Sequence, residues 1–195
     1  MPVLLALVVL PGLVLRLLAA WQPVPVLIEK TLPDDSFYYF AIARNIVAGN
    51  GASVDGVTPT NGFHPLWSLV LLAPYALLKD GDAPIHAGLS LAALADALSA
   101  VVAFALARRV TGRDSAGLLA AFLYLFNPLA AMESVNGLET SLAMLFFALT
   151  SWVYLTRVRR DRATYADYAL LGLAAGLMLL ARTDTFFLLL LIAGD

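Results

Sequence analysis

The spacing of its apolar residues constrains this chain more than any other feature. A helix rises about 1.5 Å per residue, so crossing a hydrocarbon core of about 30 Å takes about 20 apolar residues, with about 17 to 25 the useful range. Runs near that length occupy 3–21, 63–78, 85–107, 116–132, 140–156 and 165–181, and another begins at 185 and is cut short by Asp195. These predict an all-α fold, a polytopic transmembrane helix bundle forming one module over 1–195. Because a last helix ending near residue 193 is too short to span, we expect the N-terminal part of a longer chain. Composition agrees: 61% of the residues are apolar and 13% charged. Soluble domains carry about 25% charge, so a soluble cytosolic domain, a disordered tail and a coiled coil are excluded. Cysteine is absent, which removes disulfides, thiolate catalysis and cysteine-ligated zinc or iron–sulfur clusters.

The formal charge of −2 conceals an ordered distribution. Arg108, Arg109 and Arg113 share one short loop, and Arg157, Arg159, Arg160 and Arg162 another; basic loops of this kind stay cytoplasmic. Both lie on that side only if 63–78 does not cross. That run is the shortest of the early ones and opens on Phe63-His64-Pro65, so we expect a juxtamembrane or re-entrant helix on the external face. The crossings are then 3–21 outward, 85–107 inward, 116–132 outward, 140–156 inward and 165–181 outward. The first run lacks a basic start and ends Leu18-Ala19-Ala20-Trp21, a poor signal-peptidase site, so it reads as a retained helix anchored by Trp21. Residues 22–84 become a long external loop, and Asp34, Asp35, Asp55, Glu133, Glu139 and Asp184 all fall outside.

Local signals concentrate in that loop. Pro33 ends one segment, Asp34 and Asp35 follow, and an aromatic-rich helix at about 35–48 ends at Gly49-Asn50-Gly51 and suits the membrane interface. Asp55-Gly56 and Thr58-Pro59-Thr60-Asn61-Gly62 are turns. One of the two aspartates is explained by capping a helix start. A second adjacent carboxylate favours a proton acceptor or cation site, since like charges raise each other's pKa. His64 is either an interfacial imidazole or a contact for an anionic headgroup. Arg16, near the end of the first run, is placed to snorkel. Asp96 sits near the middle of 85–107, where a charge faces a bundle interior or a partner, and no partner is evident. Glu139 reads either as a cap or as a site residue, and Arg182 with Asp184 as a local ion pair or a site at a helix end.

The strings Asp34-Asp35-Ser36-Phe37-Tyr38-Tyr39, Ala43-Arg44-Asn45-Ile46 and Thr58-Pro59-Thr60-Asn61-Gly62-Phe63-His64-Pro65-Leu66-Trp67 resemble the membrane glycosyltransferases of the GT-C fold. Within these the chain is most similar to bacterial members related to protein O-mannosyltransferases and lipid A aminoarabinose transferases. The resemblance covers essentially the whole chain and implies a polyprenyl-phosphate sugar donor used on the external or periplasmic face of a bacterial plasma membrane. It implies that Asp34 or Asp35 is the base that deprotonates an acceptor hydroxyl. It places the basic residue that meets the lipid phosphate at His64, where some relatives have lysine, and an aspartate of the second external loop at Glu139. Arg44 and Arg182 are further candidates for the phosphate, and Tyr38 and Tyr39 for stacking on sugar or prenyl. Asn61 and Asp184 complete the substrate-binding set. No cofactor is required by this reading, and Asp34 and Asp35 are the ligands for a divalent cation, magnesium or manganese, if the enzyme uses one. The partners expected are the donor, the membrane lipid and an acceptor that is protein, lipid or polysaccharide; nucleic acid is not among them. A transporter or lipid flippase is the rival reading, with Asp96, Asp34 and Asp35 on an ion path, but such proteins gather ionisable residues at the midplane and here only Asp96 lies there. A non-catalytic scaffold would leave the carboxylate and aromatic loop without purpose.

Overall fold

In the computed structural model, residues 1–78, 81–160 and 162–195 are described. They form an all-α membrane bundle of helices α1 (Pro2–Ala20), α2 (Val24–Lys30), α3 (Asp34–Val47), α4 (Pro65–Leu77), α5 (Ala83–Thr111), α6 (Asp114–Leu125), α7 (Pro128–Glu133), α8 (Thr140–Val153), α9 (Tyr165–Ala181) and α10 (Phe186–Ala193). A π-helical turn at Tyr154–Val158 extends α8, and a 3₁₀ turn at Thr183–Thr185 leads into α10. By length and hydropathy, Pro2–Ala20, Ala83–Thr111 and Thr140–Val158 are each able to cross a bilayer.

α5 is the central element, packed against α1, α4, α6 and α8. It runs antiparallel to α1: His86 in its second turn meets the Ala20 carbonyl through Nδ1 at 2.7 Å, and the His86 ring stacks on Trp21 at 5.0 Å. α4 starts beside the loop before α8, with Trp67 Nε1 donating to the Gly137 carbonyl at 2.8 Å. It ends a few residues before α5, whose start lies level with the end of α1, so both ends of α4 sit at the same end of the bundle. The core is correspondingly divided. Leu27, Leu32, Tyr39, Phe40, Trp67, Leu71, Leu89 and Val135 pack at the loop end. Ala100, Phe104, Ala121 and Leu125 pack with Met1, Leu5 and Val8 toward the other.

Two expectations are corrected. The run 116–132 is not one helix: α6 stops at Leu125, because a residue preceding proline is pushed out of the α region and Asn127 adopts ψ 119 before Pro128. Asn127 then caps α7 by accepting from the Leu129 and Ala130 N–H groups. The second correction concerns Arg16, which does not snorkel. It is 1% exposed, its Nε donates to Asp96 Oδ2 at 2.6 Å, and its NH1 donates to the carbonyls of Gly12 (3.1 Å) and Leu125 (2.9 Å). Asp96, without an evident partner in the sequence, also accepts from the Tyr124 hydroxyl at 2.6 Å. A charge in an apolar interior persists only when paired and hydrogen-bonded, and this pair ties α1, α5 and α6 together at one depth.

Candidate functional site

α3 begins directly after Pro33, whose fixed φ suits a helix entry, and its two acidic residues face the positive end of the helix dipole. One aspartate is spent locally: Asp34 Oδ1 accepts from the Asp35 N–H at 3.0 Å. Helical periodicity then puts Asp35, Tyr38 and Tyr39 on one face, at i, i+3 and i+4. That face lines a polar cavity of about 320 Å³, together with Gly62, Phe63 and His64 before α4, Leu138 and Glu139 before α8, and Arg182 after α9. Four separate stretches of chain thus contribute to one site at one end of the bundle.

Glu139 is its most buried charged group, 6% exposed. Although it occupies the cap position of α8, its side chain caps nothing. The carboxylate instead accepts from the Tyr39 hydroxyl at 2.9 Å and faces His64 Nε2 at 3.6 Å and Arg182 NH1 at 3.7 Å. Tyr39 also accepts from the His64 backbone N–H at 3.3 Å. Burial holds the Tyr39 hydroxyl well above the ordinary phenol range, so it stays a donor at every working pH. The Tyr39 hydroxyl is therefore an anchor for Glu139, while Tyr39 itself also lines the cavity. Tyr38, 51% exposed, presents its ring to the cavity. Arg182 divides its reach, with Nε at 3.1 Å from both oxygens of Asp184.

The turn that presents Glu139 is rigidly built. Gly137 has φ +79, and a Cβ there would lie 2.8 Å from Ser36 Cβ and 3.0 Å from Leu32 Cδ2 and Phe40 Cζ, so only glycine fits. Its carbonyl is held by Trp67, Asn136 Oδ1 accepts from the Leu138 N–H at 2.9 Å, and Ser141 Oγ donates to the Ser134 carbonyl at 3.0 Å. The sequence reading missed Gly137 and Trp67 as supports of Glu139; Trp67 closes one of the strings singled out there, and Asn136-Gly137 is a turn signal in its own right.

Other expected site residues lie elsewhere. Asp34 and Asn61 are exposed and do not line the cavity. Arg44 is in the last turn of α3, about 13 Å along the helix from Asp35, and is exposed. Asp184 reaches the site only through Arg182. As a cation site, Asp34 with Asp35 does not fit, since their carboxylates are not both in the cavity, and among the described residues no group of three or more Asp, Glu or His side chains could hold a metal ion.

The fold and the site define a class: an all-α membrane protein that gathers carboxylates, cations and phenols in a cavity at one end of its bundle. The profile of the dolichyl-phosphate-mannose-protein mannosyltransferase family matches residues 63–194, and the chain belongs to that family. It is a membrane glycosyltransferase of mannosyltransferase type. The match begins with Phe63-His64 and takes in Glu139 and Arg182, whereas Asp35, Tyr38 and Tyr39 precede it. No curated protein and no solved structure matches the chain.

Proposed function

We propose that the cavity transfers a sugar from a polyprenyl-phosphate donor to an acceptor hydroxyl on the external face of the membrane, by a single inverting displacement. The carboxylate of Asp35 takes the acceptor proton, the acceptor oxygen forms a bond to the anomeric carbon, and the bond from that carbon to the phosphate oxygen breaks. Polyprenyl phosphate leaves with the electron pair. Arg182 and His64, which line the cavity with Asp35, meet the growing negative charge on the phosphate, where preorganised charges and hydrogen-bond donors act most strongly. Glu139, 3.6 Å from His64 Nε2 and 3.7 Å from Arg182 NH1, sets the position of both. No step is routed through a metal ion.

The observation that carries this reading is the convergence of Asp35, Tyr38, His64, Glu139 and Arg182 on one polar cavity. Orientation is supported by the charges. The cavity opens at the end opposite the loops bearing Arg108, Arg109, Arg113 and Arg157–Arg160, which stay cytoplasmic in a chain that crosses the membrane several times. α4 then lies along the external surface, both its ends being on that side.

The test compares Asp35→Asn with Asp34→Asn in the whole protein in native membranes, following release of polyprenyl phosphate from polyprenyl-phosphate mannose. General-base loss costs about 10²–10⁴-fold. Asp35→Asn is expected to lose at least 100-fold in kcat, while Asp34→Asn stays within a few-fold of wild type. Equal activity of Asp35→Asn and wild type, or the reverse order of the two variants, would overturn the assignment.

A further inference from the structure

At the end of the bundle away from the reaction cavity, a second cavity of about 350 Å³ lies between the end of α5, the turn into α6 and the far part of α8. Phe104, Ala105, Arg108, Arg109, Gly112 and Trp152 line it. We propose that it is a binding site for the headgroup phosphate of an anionic phospholipid. The inference goes beyond the transfer reaction and uses none of its residues.

Depth is the first argument. Asp96 marks the buried middle of α5, and Arg108 lies twelve residues further on, about 18 Å along the axis. Half of a hydrocarbon core is about 15 Å, so the arginines reach the phosphate level of the leaflet while Phe104 and Ala105, about 12 Å from Asp96, remain among the acyl chains. The cavity wall therefore changes from apolar to cationic over the distance in which a phospholipid changes from chain to phosphate. Trp152, brought in from α8, has the amphipathic ring that favours this interface.

Charge is the second. Arg108 is already compensated, its Nε 2.7 Å from Asp114 Oδ1. Arg109 lines the same cavity and has no ion pair or side-chain hydrogen bond among the described residues. Cations in the last turn of α5 complement the helix dipole, which accounts for arginine there but not for a cavity beside it built from a second helix. A guanidinium without a partner among the described residues, over an apolar floor at headgroup depth, matches a phosphodiester with its glycerol and acyl chains attached, and basic recesses between helices on the cytoplasmic side bind anionic lipids in this way.

The experiment uses the purified whole protein in nanodiscs of phosphatidylcholine alone or with phosphatidylglycerol, read by thermal unfolding and by native mass spectrometry of retained lipid. Wild type should gain several degrees in Tm with phosphatidylglycerol and retain it on release. Arg109→Gln should lose most of that gain and the retained lipid. Arg113→Gln, which removes the same charge from the same loop but lies outside the cavity, should keep both. Because Arg109 is exposed, the variant folds, and its Tm in phosphatidylcholine should equal that of wild type. An equal lipid response in wild type and Arg109→Gln, or an equal loss in Arg113→Gln, would overturn the site in favour of diffuse surface charge. A rise of the same size from inorganic phosphate in phosphatidylcholine discs would overturn the lipid as its source.

Discussion

Replacing Asp96 by asparagine keeps the shape of the side chain and removes the one counter-charge that Arg16 meets among the described residues. In the wild type the guanidinium is enclosed, with Asp96 on Nε and the carbonyls of Gly12 and Leu125 on NH1, while its NH2 has no partner among the described residues. Losing one member of a buried pair costs about 3–5 kcal/mol in soluble proteins, whereas polar contacts between membrane helices average about 0.6 kcal/mol and reach about 1.7. Arg16 belongs nearer the first figure, because a guanidinium cannot shed its proton and here cannot reach water. With two carbonyls still in place, we expect Asp96→Asn to cost about 3 kcal/mol. Arg16→Met should cost less, about 2 kcal/mol, since a carboxyl left without its cation can neutralise by taking a proton, and the main residual loss is the orphaned Leu125 carbonyl. The double variant Arg16→Met with Asp96→Leu should unfold closer to wild type than either single change. Unfolding of the whole protein in mixed micelles, titrated with a denaturing detergent and followed by tryptophan fluorescence and circular dichroism, measures all three. A double variant less stable than either single change, or a larger loss for Arg16→Met than for Asp96→Asn, would refute the reasoning.

Gly137→Ala should push the added methyl against Ser36, Leu32 and Phe40 and strain the positive φ, moving Glu139; we expect kcat to fall at least 10-fold and stability by about 1–3 kcal/mol, and activity assays with thermal unfolding check both. Asp55 ties its own loop by accepting from the Thr58 and Val57 N–H groups and from the Ser53 and Thr58 hydroxyls, which hold its carboxyl well below the ordinary range. A depressed folded pKa stabilises above the unfolded value and is lost as pH falls below it, so the order of residues 50–62 should persist at neutral pH and weaken only below about pH 4. Asp55→Asn should loosen the loop already at pH 7, read as faster proteolysis there.

The helices were legible because length and hydropathy act locally, and the strings at 34–39 and 58–67 placed acids, tyrosines and the histidine in one loop between apolar runs. What escaped the sequence depends on which residues face one another. The apolar run 116–132 reads through Asn127-Pro128 as if unbroken, although proline there forces a halt. Arg16 and Asp96 are separated by 80 positions, and no periodicity announces that their depths coincide. Asp34 and Asp35 are indistinguishable as a dipeptide; the phase of α3 separates them, turning one toward the cavity. Glu139 read either as a cap or as a site residue because its place in the chain is a cap position; Trp67 and Gly137 hold the turn that aims its carboxylate sideways into the site.

The bond from Arg16 to the Leu125 carbonyl also orders events during synthesis. α1 emerges before α5 and α6, with a guanidinium near its end that lipid alone cannot satisfy. The carboxylate that answers it follows 80 residues later and the carbonyl 109 residues later. At about 5–20 residues per second, α1 waits on the order of ten seconds for these neighbours. During that interval α1 has to be sheltered by the insertion machinery or remain near the surface, so its final depth is set when α5 and α6 arrive to claim it.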